Sequence, residues 1–149
     1  MAYNDILGKA EEALASIIEA LALTGERAGD AVDVDIVTGV EDEERRTPFV
    51  ALQVDDTQDE VVKGTGIFRV HGRAIIESNE GETLSAHRER VGAVCDALMY
   101  DDIAEQLSAA VADFHCYEMK WLGSKSSVDG NSMRSMFEFQ LVACCATIT

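Results

Sequence analysis

Basic residues are scarce in this 149-residue chain: 12 Lys and Arg stand against 28 Asp and Glu, a formal charge of −16 at pH 7. Binding to a phosphate backbone draws its affinity from cations that displace counterions, so tight nucleic-acid binding is excluded as a primary role, and docking to anionic lipid with it. No apolar run approaches the roughly 20 residues that span a bilayer. The start, Met1-Ala2-Tyr3-Asn4-Asp5, lacks the basic flank and cleavage site of a signal peptide. The expectation is a protein with no membrane partner, kept in a reducing compartment or in a particle assembled there. The four cysteines (Cys95, Cys116, Cys144 and Cys145) form no CxxC pair and no metal-finger spacing. They read as buried free thiols, with Cys144 and Cys145 on opposite faces of one strand. Also missing are a GxSxG elbow, a GxxxxGK[ST] loop and an HExxH pair. Gly123-Ser124-Lys125-Ser126 imitates only the tail of a phosphate loop. No cofactor is implied.

What is present is core. Apolar residues make up 47% of the chain, and a domain of this length buries roughly 68–70% of its unfolded surface. Residues 1–149 read as one domain. Ile6, Leu7, Ala10, Ala13, Leu14, Ile17, Ile18 and Leu21 recur at spacings of three and four, which predicts an amphipathic helix over 4–23. Val32, Val34 and Ile36 alternate with acids, predicting a strand. Pro48 opens a second strand, 49–54. A third runs from Ile67 to Glu77, with Phe68, Val70, Ala74 and Ile76 on one face and Arg69, His71 and Arg73 on the other. Thr83 caps a helix with apolar positions Leu84, Val91, Val94, Cys95 and Leu98, its wet side holding Arg88, Glu89 and Arg90. A shorter helix follows through Ile103, Leu107, Ala110 and Val111. Two extended segments, 114–122 and 133–148, close the chain around a polar connector, 123–132, read as a mobile hairpin loop. Strands grouped in hairpins predict an α+β fold: an antiparallel or mixed sheet with the N-terminal helix and a central helix pair packed on one face.

The candidate functional residues fall into groups. Two acidic segments, Glu41-Asp42-Glu43-Glu44 and Asp55-Asp56 with Asp59-Glu60, read as solvated loops; neither has the DxDxDG order of a calcium loop. Arg69, His71 and Arg73 form a basic stripe in a chain acidic nearly everywhere else. It fits either an internal charge ladder with acids on neighbouring strands or a seam that meets an acidic loop of another subunit. His71, His87 and His115 fall on a strand, a helix and a strand; His87 is expected on the wet helix face, and a site built from the three has no spacing signal. Tyr117, Met119 and Trp121 share a strand face with His115, and Trp121 reads as core.

In order and pattern the chain resembles the phage tail terminator, or tail completion, proteins. The resemblance is carried by the N-terminal amphipathic helix, the acidic turn into Pro48-Phe49-Val50, a long gap-loop, the alternating strand from Phe68 to Ser78, the polar turn Asn79-Glu80-Gly81-Glu82 and the helix opening Thr83-Leu84-Ser85. It implies a non-enzymatic virion protein of the tail or neck, one of six copies in a ring. Its implied partners are the tail tube protein and head-completion or connector proteins, with DNA passing through unbound. On that basis Arg69, His71 and Arg73 are expected at the subunit interface and the acidic loops at the lumen or a docking surface, where they would repel passing DNA. Lys125, Asp129 and Asn131 are expected in a docking hairpin loop. Head–tail connectors look much alike at this level. Outside the virion class, the sequence leaves room for an acidic adaptor or DNA mimic that binds a basic partner, and for a small enzyme using His71, His115 and carboxylates.

Overall fold

Burial on one stripe explains the first element. In α1 (Tyr3–Glu19), Ile6, Ala10, Ala13, Leu14 and Ile18 are buried, at the three- and four-residue spacing of one helix face. The computed structural model describes residues 3–39, 47–61, 63–129 and 132–145, with side chains described throughout except at 3–5, 56–59, 128, 129 and 132. The helix ends at Glu19, four residues before the expected end, and the chain turns through Ala22, which takes a positive φ of 50°.

The expected strand around 32–37 is two strands. β1 (Thr24–Arg27) and β2 (Asp30–Asp33) make a small antiparallel hairpin, and β3 (Asp35–Thr38) belongs to the main sheet. Val34, between β2 and β3, is buried and acts as the hinge of that handover. The acidic segment 55–60 is likewise not a loop: β4 (Phe49–Glu60) continues through it, bulging on either side of Thr57, and pairs with β5 (Phe68–Glu77). α2 (Leu84–Leu98) and α3 (Ile103–Ala110) follow. β6 (His115–Asp129) and β7 (Ser132–Cys144) then form a long hairpin, with strand pairing where a polar connector was expected.

The main sheet has the order β3-β4-β5-β7-β6. β3 runs parallel to β4 and every other pairing is antiparallel, so the sheet is mixed and the fold is α+β. All three helices lie on one face: α1 over β3 and β4, α2 over β5 and β7, α3 against β6 and α1. That face carries the main core, with Val50, Leu52, Val70, Ala74, Ile76, Phe137, Phe139 and Leu141 beneath Leu14, Ile18, Val94, Leu98 and Leu107. The opposite face holds a small apolar cluster of Phe49, Ala51 and Ile75, and beyond it the charged residues. Glu11 ties helix to sheet by accepting the Val54 N–H at 2.9 Å, and burial there raises its carboxyl pKa.

Two details set the sheet's shape. Gly72 sits under the Phe139 ring, where a Cβ would come within 2.5 Å of the ring edge. The bulge between Cys116 and Glu118 turns Tyr117 out of the core face, so it does not share that face with Trp121 as expected. Tyr117 is exposed and stacks edge-on against His115, while Trp121 is half-buried against Phe137.

Candidate functional site

The densest polar constellation lies where the end of β5, the turn 79–82 and the start of α2 meet β7. The turn is built locally: Glu82 N–H donates to the Asn79 carbonyl at 3.1 Å, and the Glu82 carboxylate accepts the Asn79 N–H at 2.7 Å. Thr83 caps α2 by accepting the Ala86 N–H at 3.1 Å. The helix then buries His87, Arg90, Val94 and Leu98, a stripe at i, i+3, i+7 and i+11. His87 and Arg90 are thus core-facing, against the expectation that both lie on the wet side, and each is about 4% exposed. A buried cation is tolerated only when paired, and Arg90 is: it forms an ion pair with Glu82 and donates to Ser78 Oγ at 2.8 Å.

The same network grips the β1–β2 hairpin. Arg90 donates to the Thr24 carbonyl at 3.4 Å, and Glu82 accepts the Glu26 N–H at 3.3 Å. Gly25 fits because a Cβ there would meet Pro48, Arg90 and Glu82 at 2.6 to 3.0 Å. Arg27 donates through Nε to the Thr47 carbonyl at 2.8 Å, and Thr47 in turn bonds to Asn79 at 2.7 Å.

His87 sits between two hydroxyls, with Ser78 Oγ 2.6 Å from Nδ1 and Ser135 Oγ 3.0 Å from Nε2; Ser135 also contacts Ser126 Oγ at 2.9 Å. A neutral ring with its proton on Nε2 satisfies every partner, because Ser78 accepts from Arg90 and can donate to Nδ1. Desolvation first, and the neighbouring Arg90 charge second, lower the His87 pKa, with Glu82 opposing them. The unfolded chain therefore binds this proton more readily than the folded one, so stability falls as pH drops from above about 6.5 toward the folded pKa. His87→Gln keeps hydrogen-bonding capacity without the titration. Its thermal midpoint is expected to fall less than that of the wild type between pH 7.5 and 5, and equal slopes would refute this assignment.

The chemistry open to this cluster is restricted. Ser135 and His87 have the spacing of a nucleophile and its base, yet both are buried and no carboxylate orients the other ring nitrogen. The adjacent cleft, about 600 Å³, reaches Glu82 and Arg90 but not His87. The cluster locks α2, the β1–β2 hairpin and the sheet together.

The basic stripe is on the open sheet face, as its alternation required. Asp55 on β4 pairs with Arg73, and His71 Nδ1 lies 3.5 Å from the same carboxylate. On the other flank β7 places Glu138 opposite Arg73, and Arg134 opposite Glu77 at 3.8 Å. For His71 and Arg73 the internal ladder is therefore present. Arg69 lies further along the same face, with Asp59 and Val142 as its register partners. Of the acidic groups, Glu60 caps a turn, accepting the N–H groups of Gly64 at 2.9 Å and Gly66 at 2.8 Å, and these bonds lower its pKa. Asp56 and Asp59 are within β4, with side chains outside the described set, and Glu41, Asp42, Glu43 and Glu44 lie outside the described residues. Lys125 is exposed on β6 opposite Met136, Asp129 pairs with Ser132 through its backbone, and Asn131 lies outside the described residues. His115 is on β6, across β7 from His71 on β5, so the three histidines do not converge. Among the described residues no cluster of three His, Cys, Asp or Glu side chains is placed to hold a metal.

Ser78, Glu82, His87, Arg90 and Ser135 were not anticipated as a group. The available signal was the run His87, Arg90, Val94, Leu98 on one helical stripe, with Glu82 eight residues before the arginine.

No known protein family and no curated protein matches this sequence. The fold is similar to that of a chain in a solved structure described as the virion of a native gene transfer agent particle. The likeness has a TM-score of 0.54 at 16% identity and covers 72% of this chain and 78% of that one.

Proposed function

We propose that this chain is a structural protein of a phage-like virion. The observation that carries the reading is the shared fold with a chain of the gene transfer agent virion, over most of both chains. At a finer level the resemblance to tail terminators supports a ring-forming subunit, six copies, at the head-proximal end of a tail tube, between the tube protein and the head-completion or connector proteins. The role is assembly and not catalysis. A net charge of −16 gives such a ring a wall that DNA passes without adhering, with the acidic segments 41–44 and 55–60 as the candidates to face the channel.

Subunit closure through the stripe Arg69, His71 and Arg73 is the part most directly open to test. Arg73 is tied to Asp55 within its own chain, so the informative variants are Arg69→Glu alone and the exchange Arg73→Asp with Asp55→Arg, which keeps the internal pair. If the stripe joins subunits, Arg69→Glu gives a folded monomer, with unchanged circular dichroism and no higher-mass species by light scattering, and the exchange also fails to assemble. If both variants assemble as the wild type does, the stripe belongs to the monomer alone.

A further inference from the structure

We propose that the depression where the three helices converge is a docking site for a cationic amphipathic segment of another protein. It occupies about 550 Å³, between the end of α1 with the turn after it, the end of α2, and α3. Ile17, Leu21, Ala97, Tyr100, Ala109 and Ala110 line it, and among the described residues no Lys, Arg or His does. Leu21 is 37% and Tyr100 62% exposed, so two large apolar side chains stand at its edges in open solvent. Scattered exposed apolar residues are ordinary; here they border one continuous apolar hollow between three helices, a shape that can seat a side chain. The opening persists because α1 packs chiefly on the sheet and α3 and touches α2 little.

Charge selects the occupant. The segments that supply the lining, 16–21 and 96–110, hold five acidic residues, all exposed (Glu19, Asp96, Asp101, Asp102 and Glu105), and no Lys, Arg or His. An apolar hollow on segments whose exposed charges are all negative favours leucine-sized anchors flanked by Lys or Arg. Nucleic acid and anionic lipid meet the wrong sign. A second copy of this chain would have to bring a cationic, apolar segment of its own to this hollow, and the test separates that occupant from another protein. The inference does not depend on the virion reading.

The test titrates the full chain with a labelled helical peptide of about 18 residues, leucines at i, i+3, i+4 and i+7 and lysines elsewhere. A second peptide has the same charge with serine at the leucine positions. Fluorescence anisotropy is expected to give saturable binding of the leucine peptide, weakened about tenfold or more by Ala20→Arg or Ala109→Arg, both exposed positions that tolerate substitution. Thr38→Arg, the same charge change on β3, is expected to leave affinity within about twofold. The proposal is overturned if the serine peptide binds equally well, if Thr38→Arg weakens binding as much, or if the wild type does not bind. Wild-type self-association that Ala109→Arg abolishes would assign the hollow to a second copy and overturn it too.

Discussion

Replacing Arg90 by alanine is expected to lower the free energy of unfolding by about 3–5 kcal/mol, the range for stranding one partner of a buried ion pair. The Arg90 and Glu82 side chains are only 3% and 2% exposed. Removing the guanidinium leaves the Glu82 carboxylate facing the backbone of Asn79 and Glu26 without a counter-charge, and takes a donor from Ser78. Because Arg90 also reaches the Thr24 carbonyl, the β1–β2 hairpin loses one of its ties to the body. Adding Glu82→Gln to the alanine variant removes the stranded charge but keeps the acceptor oxygen, so it should recover part of the loss. Urea unfolding at pH 7.5 checks both expectations. A loss below about 1 kcal/mol, the value of a solvated pair, would show that the pair is not buried.

Phe139→Ala is expected to cost about 3–5 kcal/mol by the usual scale for a fully buried aromatic. Phe139 has 0% exposure and its ring occupies the space above Gly72. The two positions are therefore coupled. Gly72→Ala alone should destabilise by about 1–3 kcal/mol, because its Cβ would collide with a ring that has no room to move. In the Phe139→Ala background the same substitution should be nearly neutral or stabilising, since the new methyl enters the vacated space. A double-mutant cycle by chemical denaturation measures that interaction directly, and strictly additive losses would mean that the ring does not rest on the glycine.

These residues also mark where the sequence was legible. The alternation of Phe68, Val70, Ala74 and Ile76 against Arg69, His71 and Arg73 assigned both faces of β5 correctly, because a period of two leaves one arrangement that buries the apolar set. The helix spacing located α1, α2 and α3, although Leu84 of the expected α2 stripe is 41% exposed and His87 and Arg90 are buried instead, and the grouping of strands identified the α+β class. Errors came where chemistry and structure diverge. Acidic residues 55–60 read as loop from charge alone, yet an open sheet face accommodates charge, and Asp55 there meets Arg73 and His71. His87 and Arg90 read as solvated because they are polar. They are buried because Glu82, Ser78 and Ser135 arrive from the turn and from β7, and local patterning cannot foresee partners 48 residues apart such as His87 and Ser135. The bulge at Tyr117 was equally hidden, since one extra residue reverses the face of everything before it.

Assembly tests the central claim most directly. The wild-type protein, imaged by negative-stain electron microscopy across a wide concentration range with mass measured on the same samples, is expected to form closed rings of a single stoichiometry with a central hole about as wide as duplex DNA. A single monomeric species throughout that range, with no ring in any field, would contradict the account.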